Sequence, residues 1–411
     1  MEKKNHSQLA ITYAQDILAN NIPSCCYVQM AAQRFIDDLE KQGTDDFPYV
    51  YDEDRANKVC RFMELMPHVK GKWASKKQLL DLEPWQCFVE CNLFGWVHQE
   101  TGLRRFSEAY EEVPRKNGKS IRLSARGIYL FAADGESGAE VYSGATTEKQ
   151  AYEIFRPAWL MVNRLPSLKE RFSIDQSGTS KNPGSMYMMS DLSRFETMIG
   201  KPGDGSSPHS ALVDEYHEHD TDHMLDAMQT GMGAREQPLL SIITTAGSNL
   251  SGPCYEKRRE VIQILEKRSS AESVFGIIYG IDEDDDWDNP ESLIKANPNY
   301  GVSVFPEFLM QQLEQARRSA AKQNSFRTKH LNQWVGARSV WMNMLAWRRQ
   351  QMSDFRPESL REYPCWMAVD LASKRGKKMT SIIHTTSFMH QKVLLKTMKS
   401  ILLLPMMVIL S

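Results

Sequence analysis

The chain has 411 residues, which suits roughly two or three domains of ~150 residues each. Apolar residues make up 41% of it, enough for a sizeable core, and the formal net charge is -2. That balance excludes a global basic field, so any contact with nucleic acid must come from local patches. The seven cysteines, Cys25, Cys26, Cys60, Cys87, Cys91, Cys254 and Cys365, contain no Cys-x-x-Cys pair. They read as free thiols in a reducing cytosol rather than as zinc ligands. No apolar stretch follows Met1 to His6, as a signal peptide would require. The apolar run Ile401 to Leu410 is too short for a bilayer and is interrupted by Pro405. A soluble intracellular protein is expected.

In chain order, Ala31, Phe35, Ile36 and Leu39 recur at helical spacing, and Asp52 to Met66 predicts a second amphipathic helix. From about residue 105 short apolar runs alternate with helical stretches. Ala109 to Val113 predicts a strand, Ser120 to Ala132 a helix, Ala139 to Ser143 a strand and Thr147 to Leu165 a long helix. Ser210 to Val213 and Leu239 to Thr244 predict two further strands. This alternation implies an α/β fold, a parallel sheet covered by helices. Ile281 to Ser292 is acidic and turn-rich and reads as a solvated boundary loop. Beyond it Phe305 to Ala320 predicts a helix, with Pro306 in its first turn, and Trp366 to Asp370 a strand.

Gly118-Lys119-Ser120 follows a predicted strand and opens a predicted helix, the setting a phosphate-binding loop requires. Backbone N–H groups of Arg115, Lys116, Asn117, Gly118, Lys119 and Ser120, at the start of that helix, would cradle phosphate. Lys119 would neutralise charge between the β- and γ-phosphates, and Ser120 would bind Mg²⁺. The first glycine of the usual G-x-x-x-x-G-K-[ST] pattern is missing, because Val113 stands there. Some ninety residues later (from Ser120 to Asp214) an apolar run, Ala211 to Val213, ends in Asp214-Glu215. An ATPase needs one carboxylate for Mg²⁺ and another to polarise the attacking water, and these two fit those roles in that order. Upstream, Trp85-Gln86 supplies an amide for an adenine edge beside an aromatic ring. Thr244-Thr245-Ala246-Gly247, at the end of another strand, offers hydroxyls that could sense the γ-phosphate.

Val113 to Ser120 resembles the deviant Walker A loop of the large subunits of tailed-bacteriophage terminases, and Leu212 to Glu215 resembles their Walker B segment. Gly231 to Arg235, running into Ile243 to Gly247, is similar to their coupling segment. Phe94 to Trp96, Arg104 to Phe106, Ala145 to Ala151, Ala296 to Asn299 and His330 to Trp334 resemble further blocks of that family. The resemblance implies a RecA-like P-loop ATPase of the additional-strand, catalytic-glutamate type, followed by an RNase H-like nuclease. It implies a DNA-packaging motor that uses ATP and Mg²⁺ in the host bacterial cytoplasm. Its partners would be double-stranded DNA, a small terminase subunit and a portal protein, on which it would form a homo-oligomeric ring. Arg115 or Arg235 would supply transition-state charge, and Thr244 to Gly247 would couple hydrolysis to movement. The run His217 to His223 reads as the polar loop that follows Walker B rather than as a dedicated metal site.

The expected domains are a helical N-terminal region (1–75), the ATPase domain (76–275), a helical linker subdomain (276–360) and an incomplete RNase H-like start with an aberrant tail (361–411). Ala368 to Lys374 resembles the first nuclease strand, so Asp370 would be the first nuclease metal ligand. Leu371 to Ser411 contains no Asp or Glu, whereas two-metal cleavage draws several carboxylates from separate strands. The expectation is a truncated or frameshifted chain that has lost the family's endonuclease activity. Two other readings are open: a different DNA-dependent P-loop ATPase such as a helicase, and a non-catalytic prophage remnant.

Overall fold

The computed structural model describes residues 4–200, 205–336, 366–372 and 381–387. The chain divides into two units, Met1–Met342 and Asn343–Ser411.

The first unit opens with α1 (His6–Leu18) and α2 (Cys26–Lys41), then β1 (Tyr49–Tyr51), α3 (Glu53–Met63) and the single turn α4 (Gly71–Ser75). Next come α5 (Pro84–Gly95) and β2 (Trp96–His98), which pairs antiparallel with β1. Local chemistry sets the helix starts. Asn5 and Asp52 accept backbone N–H bonds from Gln8 and Arg55, and the Gln86 amide oxygen accepts from Glu83 N at 3.0 Å.

The α/β core follows: β3 (Glu108–Glu112), α6 (Lys119–Ala132), β4 (Glu140–Ala145), α7 (Glu148–Asn163), α8 (Pro166–Phe172), β5 (Ile174–Gly178), β6 (Pro183–Met188), β7 (Arg194–Ile199), β8 (Ser210–Asp214), α9 (His223–Gly231), β9 (Leu239–Thr244), α10 (Pro253–Leu265) and β10 (Val274–Ile278). One eight-stranded sheet has the order β10-β3-β9-β8-β4-β7-β6-β5. Strands β10 through β7 in that order run parallel, and β6 and β5 form an antiparallel hairpin on the β7 edge. The expected parallel sheet is therefore present, with an antiparallel edge that its polar, glycine-containing sequence did not announce. The crossover from β3 leads to β4 and that from β9 leads to β10, in opposite directions across the sheet. The carboxyl ends of these neighbours thus flank a topological switch point, where open α/β sheets bind ligands.

The N-terminal helices share one continuous hydrophobic core with the sheet, from Ala10 and Phe35 through Phe88 and Ile128 to Ile243 and Phe275. A separate small core unites α11 (Pro290–Ala296), α12 (Pro306–Arg318) and α13 (Ala320–His330) through Leu293, Leu309, Leu313 and Phe326. The acidic segment before α11 is tied down: Lys295 Nζ lies 2.6 Å from Asp282 and 2.7 Å from Asp285. In the second unit β11 (Trp366–Ala372) and β12 (Ser381–Ser387) form an antiparallel hairpin that sets Asp370 opposite Ile383.

Strand β3 reads Glu-Ala-Tyr-Glu-Glu, and all five residues are buried. A central parallel strand is normally apolar; here each carboxylate has cationic partners. Lys257 lies 3.0 Å from Glu108. Arg126 Nη2 lies 2.7 Å from both Glu111 and Glu90, and Arg122 pairs with the same two carboxylates. Burial alone would push Glu111 up, but Arg122 and Arg126 hold its carboxyl below the usual range. This group of two arginines and two glutamates joins α5, β3 and α6. Replacing one member leaves an uncompensated buried charge, so Arg126→Met is expected to cost roughly 3–5 kcal/mol in urea unfolding. Arg318→Ala, which removes an exposed 3.8 Å pair with Glu314, should cost under about 0.5 kcal/mol. Equal costs for the two variants would refute the assigned role of the buried group.

Candidate functional site

The chain leaves β3 at Val113, whose N–H still donates to Thr244 O at 3.0 Å and continues the pairing with β9. Val113 lies one residue past β3 and is not among the residues with positive φ, so no glycine is needed there. The left-handed turns fall later, at Lys116 (φ 73°) and Gly118 (φ 77°). Only the second carries glycine, the residue that meets no steric penalty at such a φ. Helix α6 starts immediately after it.

Lys119 is buried, and its ammonium donates to Val113 O at 2.7 Å and Pro114 O at 3.2 Å. Burial lowers its pKa, against the raising effect of Glu215 and Asp214. Ser120 Oγ donates to Asp214 Oδ2 at 2.9 Å. Asp214 ends β8, and β9 lies between β8 and the strand that feeds the loop. Burial, and then the like charge of Glu215, raise the Asp214 pKa to about 6. Glu215 itself has a left-handed backbone (φ 52°). Its Oε2 lies 3.2 Å from His217 Nδ1 but is buried without a hydrogen bond. Lys119, Ser120, Asp214 and Glu215 thus share one locality, although they come from two separated stretches of chain.

The end of β9 closes the site between them. Thr244 Oγ1 lies 3.1 Å from both His217 N and His217 Nδ1, and Thr245 Oγ1 lies 3.4 Å from the same ring nitrogen. His217, whose pKa is lowered by burial, therefore bridges the threonines to Glu215. Next to it opens a polar cleft of about 500 Å³ lined by Arg115, His217, Thr245, Gly247, Thr328 and Lys329, among others. Arg115 Nε is buried there without a hydrogen-bond partner. An unpaired guanidinium nitrogen and an unpaired carboxylate oxygen, beside a lysine and a serine–carboxylate pair, suit an anionic phosphate with a hard cation.

Other expected site residues are placed differently. Trp85 is buried, with its indole N–H donating to Asn299 Oδ1 at 2.5 Å and Arg122 over its ring. Gln86 uses its amide oxygen to cap α5. Arg235 is not brought to the loop. Its guanidinium donates to Ser207 O and Gly138 O and lies 3.0 Å from Glu136. Ser207 precedes β8 and Gly138 precedes β4, so Arg235 is engaged at the amino edge of the sheet, opposite the phosphate loop. The sequence offered no sign of this, because the partners are loop carbonyls distant in the chain. The Asp370 side chain lies outside the described residues.

Several residues that hold the loop carry no local signal of that role. Asn117 Nδ2 donates to Asn297 Oδ1 at 2.9 Å, and its Oδ1 accepts from Asn299 N at 3.0 Å. Ser303 Oγ donates to Lys116 O at 2.6 Å. The block Ala296 to Asn299 was visible as a resemblance, but its contact with a loop some 180 residues earlier was not.

This fold and site define an α/β phosphate-loop protein with an extra strand between its loop strand and its acidic strand. A family model described as the terminase large subunit ATPase domain matches residues 84–263, and one for the terminase large subunit endonuclease domain matches residues 268–401. The chain belongs to the terminase large subunit family. It is 50% identical over 185 residues to protein YmfN of Escherichia coli (strain K12), covering 45% of this chain and 41% of that protein. It is 28% identical over 243 residues to the terminase large subunit of Enterobacteria phage HK97, covering 57% of this chain and 46% of that protein. The chain thus spans less than half the length of these two relatives. The crystal structure of the HK97 bacteriophage large terminase shares its fold, with a TM-score of 0.58 at 24% identity over 68% of this chain and 55% of that one. Among the described residues no helix is long and apolar enough to cross a membrane.

The burial of Asp214 has a measurable consequence. Its ordinary pKa is 3.8, and in the folded chain it is about 6. Between those values the native state binds the extra proton, so the group costs stability above pH 6 and nothing below about pH 4. Asp214→Asn should therefore stabilise the nucleotide-free protein at pH 7.5, by on the order of 2–3 kcal/mol. The gain should fade as the pH drops to 4. Thermal unfolding of both proteins across that range checks this, and a destabilised variant at pH 7.5 would contradict it.

Proposed function

We propose that this chain hydrolyses ATP at the site around Lys119 and drives double-stranded DNA into a phage procapsid. The observation that carries the reading is the 2.9 Å contact of Ser120 with Asp214, beside the buried Lys119 and the unpaired Glu215 oxygen. Such a set suits the binding and cleavage of a nucleoside triphosphate with Mg²⁺.

In this reading the backbone N–H groups from Arg115 to Ser120 hold the phosphates at the start of α6. Lys119 would exchange its loop carbonyls for phosphate charge, and Ser120 and Asp214 would hold Mg²⁺. When bound, the cation neutralises charge that develops on the phosphate oxygens. Glu215 orients a water and takes its proton as the water oxygen bonds to the γ-phosphorus. The bond from that phosphorus to the bridging oxygen breaks, giving ADP and phosphate. Arg115, in the adjoining cleft, stabilises the charge of the transition state. Thr244 to Gly247 register the loss of the γ-phosphate through His217. Trp85 and Gln86, at the start of α5, serve the adenine side, and Trp85 also seats the Asn299 segment that holds the phosphate loop. The packaging role, with a small terminase subunit, a portal and a ring of copies in the bacterial cytoplasm, rests on family membership.

ATP turnover by the full chain with Mg²⁺ tests the centre. Lys119→Ala and Glu215→Ala should each lower kcat by about 10²-fold or more, since each removes an interaction specific to the transition state. Glu215→Ala should retain nucleotide binding. A parent chain without turnover, or a Glu215→Ala variant that turns over at the parent rate, would overturn the assignment.

A further inference from the structure

The segment after α13 lies across the carboxyl edge of the sheet, and one amide there joins both halves of the site. Asn332 is buried, with a left-handed backbone (φ 54°), an uncommon conformation that asparagine tolerates better than most residues. Its Oδ1 accepts from Ala246 N at 2.7 Å, beyond the end of β9. Its Nδ2 donates to Tyr279 O at 2.5 Å, beyond β10, and lies 3.3 Å from Glu112 Oε1 at the end of β3. Trp334 Nε1 donates to the same Glu112 oxygen at 3.1 Å. Its ring packs on Gly247, where a Cβ would approach within 3.1 Å, and on Tyr255. Val335 N donates to Gly247 O at 3.4 Å.

Each contact reaches a different part of the centre. Glu112 immediately precedes Val113, whose carbonyl holds the Lys119 ammonium. Ala246 follows Thr244 and Thr245, which hold His217 beside Glu215. We infer that Asn332 is a positioning residue for hydrolysis: its amide sets the lysine side of the site against the carboxylate side, and Trp334 clamps the same junction. The inference rests on the hydrolase reading and goes beyond it, because neither residue belongs to the phosphate loop or the acidic strand, and each acts through neighbours of the groups that do the chemistry. A displacement of about 1 Å at such a junction costs on the order of 10²-fold in rate. Along the chain the junction comes shortly before the second unit, which begins at Asn343.

The test uses the full chain as parent, Asn332→Ala and Trp334→Phe, with Leu313→Ala from the separate small core as a control for lost stability. Asn332→Ala should lower kcat at least tenfold while the Kd for Mg-ATPγS changes less than threefold. Trp334→Phe loses the N–H bond together with the outer ring atoms that reach Gly247, so it should lose about two- to threefold. Leu313→Ala should lose less kcat than Asn332→Ala at an equal fall in Tm. Hydrogen exchange gives a readout independent of turnover: Mg-ATPγS should change the protection of residues 331–335 in the parent, and Asn332→Ala should abolish that change. A normal kcat in Asn332→Ala, or a loss matched by Leu313→Ala, overturns the inference and leaves the hydrolase reading intact. An unchanged exchange pattern in a parent that binds nucleotide overturns it also. A parent that binds no nucleotide overturns the hydrolase reading, and this inference with it.

Discussion

The structure depends on how charge is carried through the middle of a sheet. Strand β3 delivers the chain to the phosphate loop, and three of its five residues are glutamates. Isolated in a protein interior, such carboxylates would either protonate or unfold the strand. They remain because α6 and α10 bring cations to them. Arg122 and Arg126 meet Glu111 and Glu90, Lys257 meets Glu108, and Arg258 approaches Glu112 at 3.4 Å. The same bonds that offset burial also fix α6, the helix that begins at Lys119, to the strand that precedes it. A hydrophobic contact of equal strength would tolerate sliding; a network of directional bonds from two arginines to two carboxylates does not.

A second constraint comes from outside the sheet. A phosphate loop with one glycine has fewer ways to relax than a glycine-rich one, and this loop has a lysine in a left-handed conformation. Its shape is held by neighbours: Asn297, Asn299 and Ser303 occupy the polar groups of Lys116 and Asn117. Trp85 in turn holds Asn299. Rigid support of this kind keeps backbone donors aimed at one place before a ligand arrives, which lowers the cost of ordering on binding.

The parts of this arrangement that were legible in the sequence are those with local causes. The run Leu239 to Thr244 is a strand to the residue, because an apolar β-branched segment bounded by turn residues has few alternatives. Gly118 and the helix after it followed from the Gly-Lys-Ser pattern between a predicted strand and a predicted helix. Val113 also became intelligible once bonded to Thr244, since the left-handed turns of the loop fall later, at Lys116 and Gly118. The illegible parts are those made by distant partners. Ala109 to Val113 was legible as a strand, but the burial of the glutamates in Glu-Ala-Tyr-Glu-Glu was not, because it requires cations from helices not yet placed. Nothing local marks Arg235 as bound to Ser207 and Gly138, and its catalytic use was suggested by its place in a segment resembling the family's coupling motif. The hairpin of β5 and β6, with glycine, serine and proline throughout, reads as loop until the edge of β7 offers it a partner.

The site itself is the least comfortable part of the fold. Asp214 and Glu215 are adjacent, the first is buried, and the lysine near them has turned its ammonium to the carbonyls of Val113 and Pro114. The burial that raises Asp214 and lowers Lys119 disfavours the charged form of each, in a region where neutral groups would pack more stably. Stability is thereby given up for readiness: a divalent cation and a polyanion entering together would relieve the repulsion between the carboxylates and give the lysine a stronger partner than a carbonyl. The free energy withheld from folding would then appear as affinity for that pair of ions. The same logic explains why the supports around the site, the Glu90–Arg126 group and the asparagine loop, are built from several directional bonds each. Strain at the centre persists only where the surroundings leave it no way to relax.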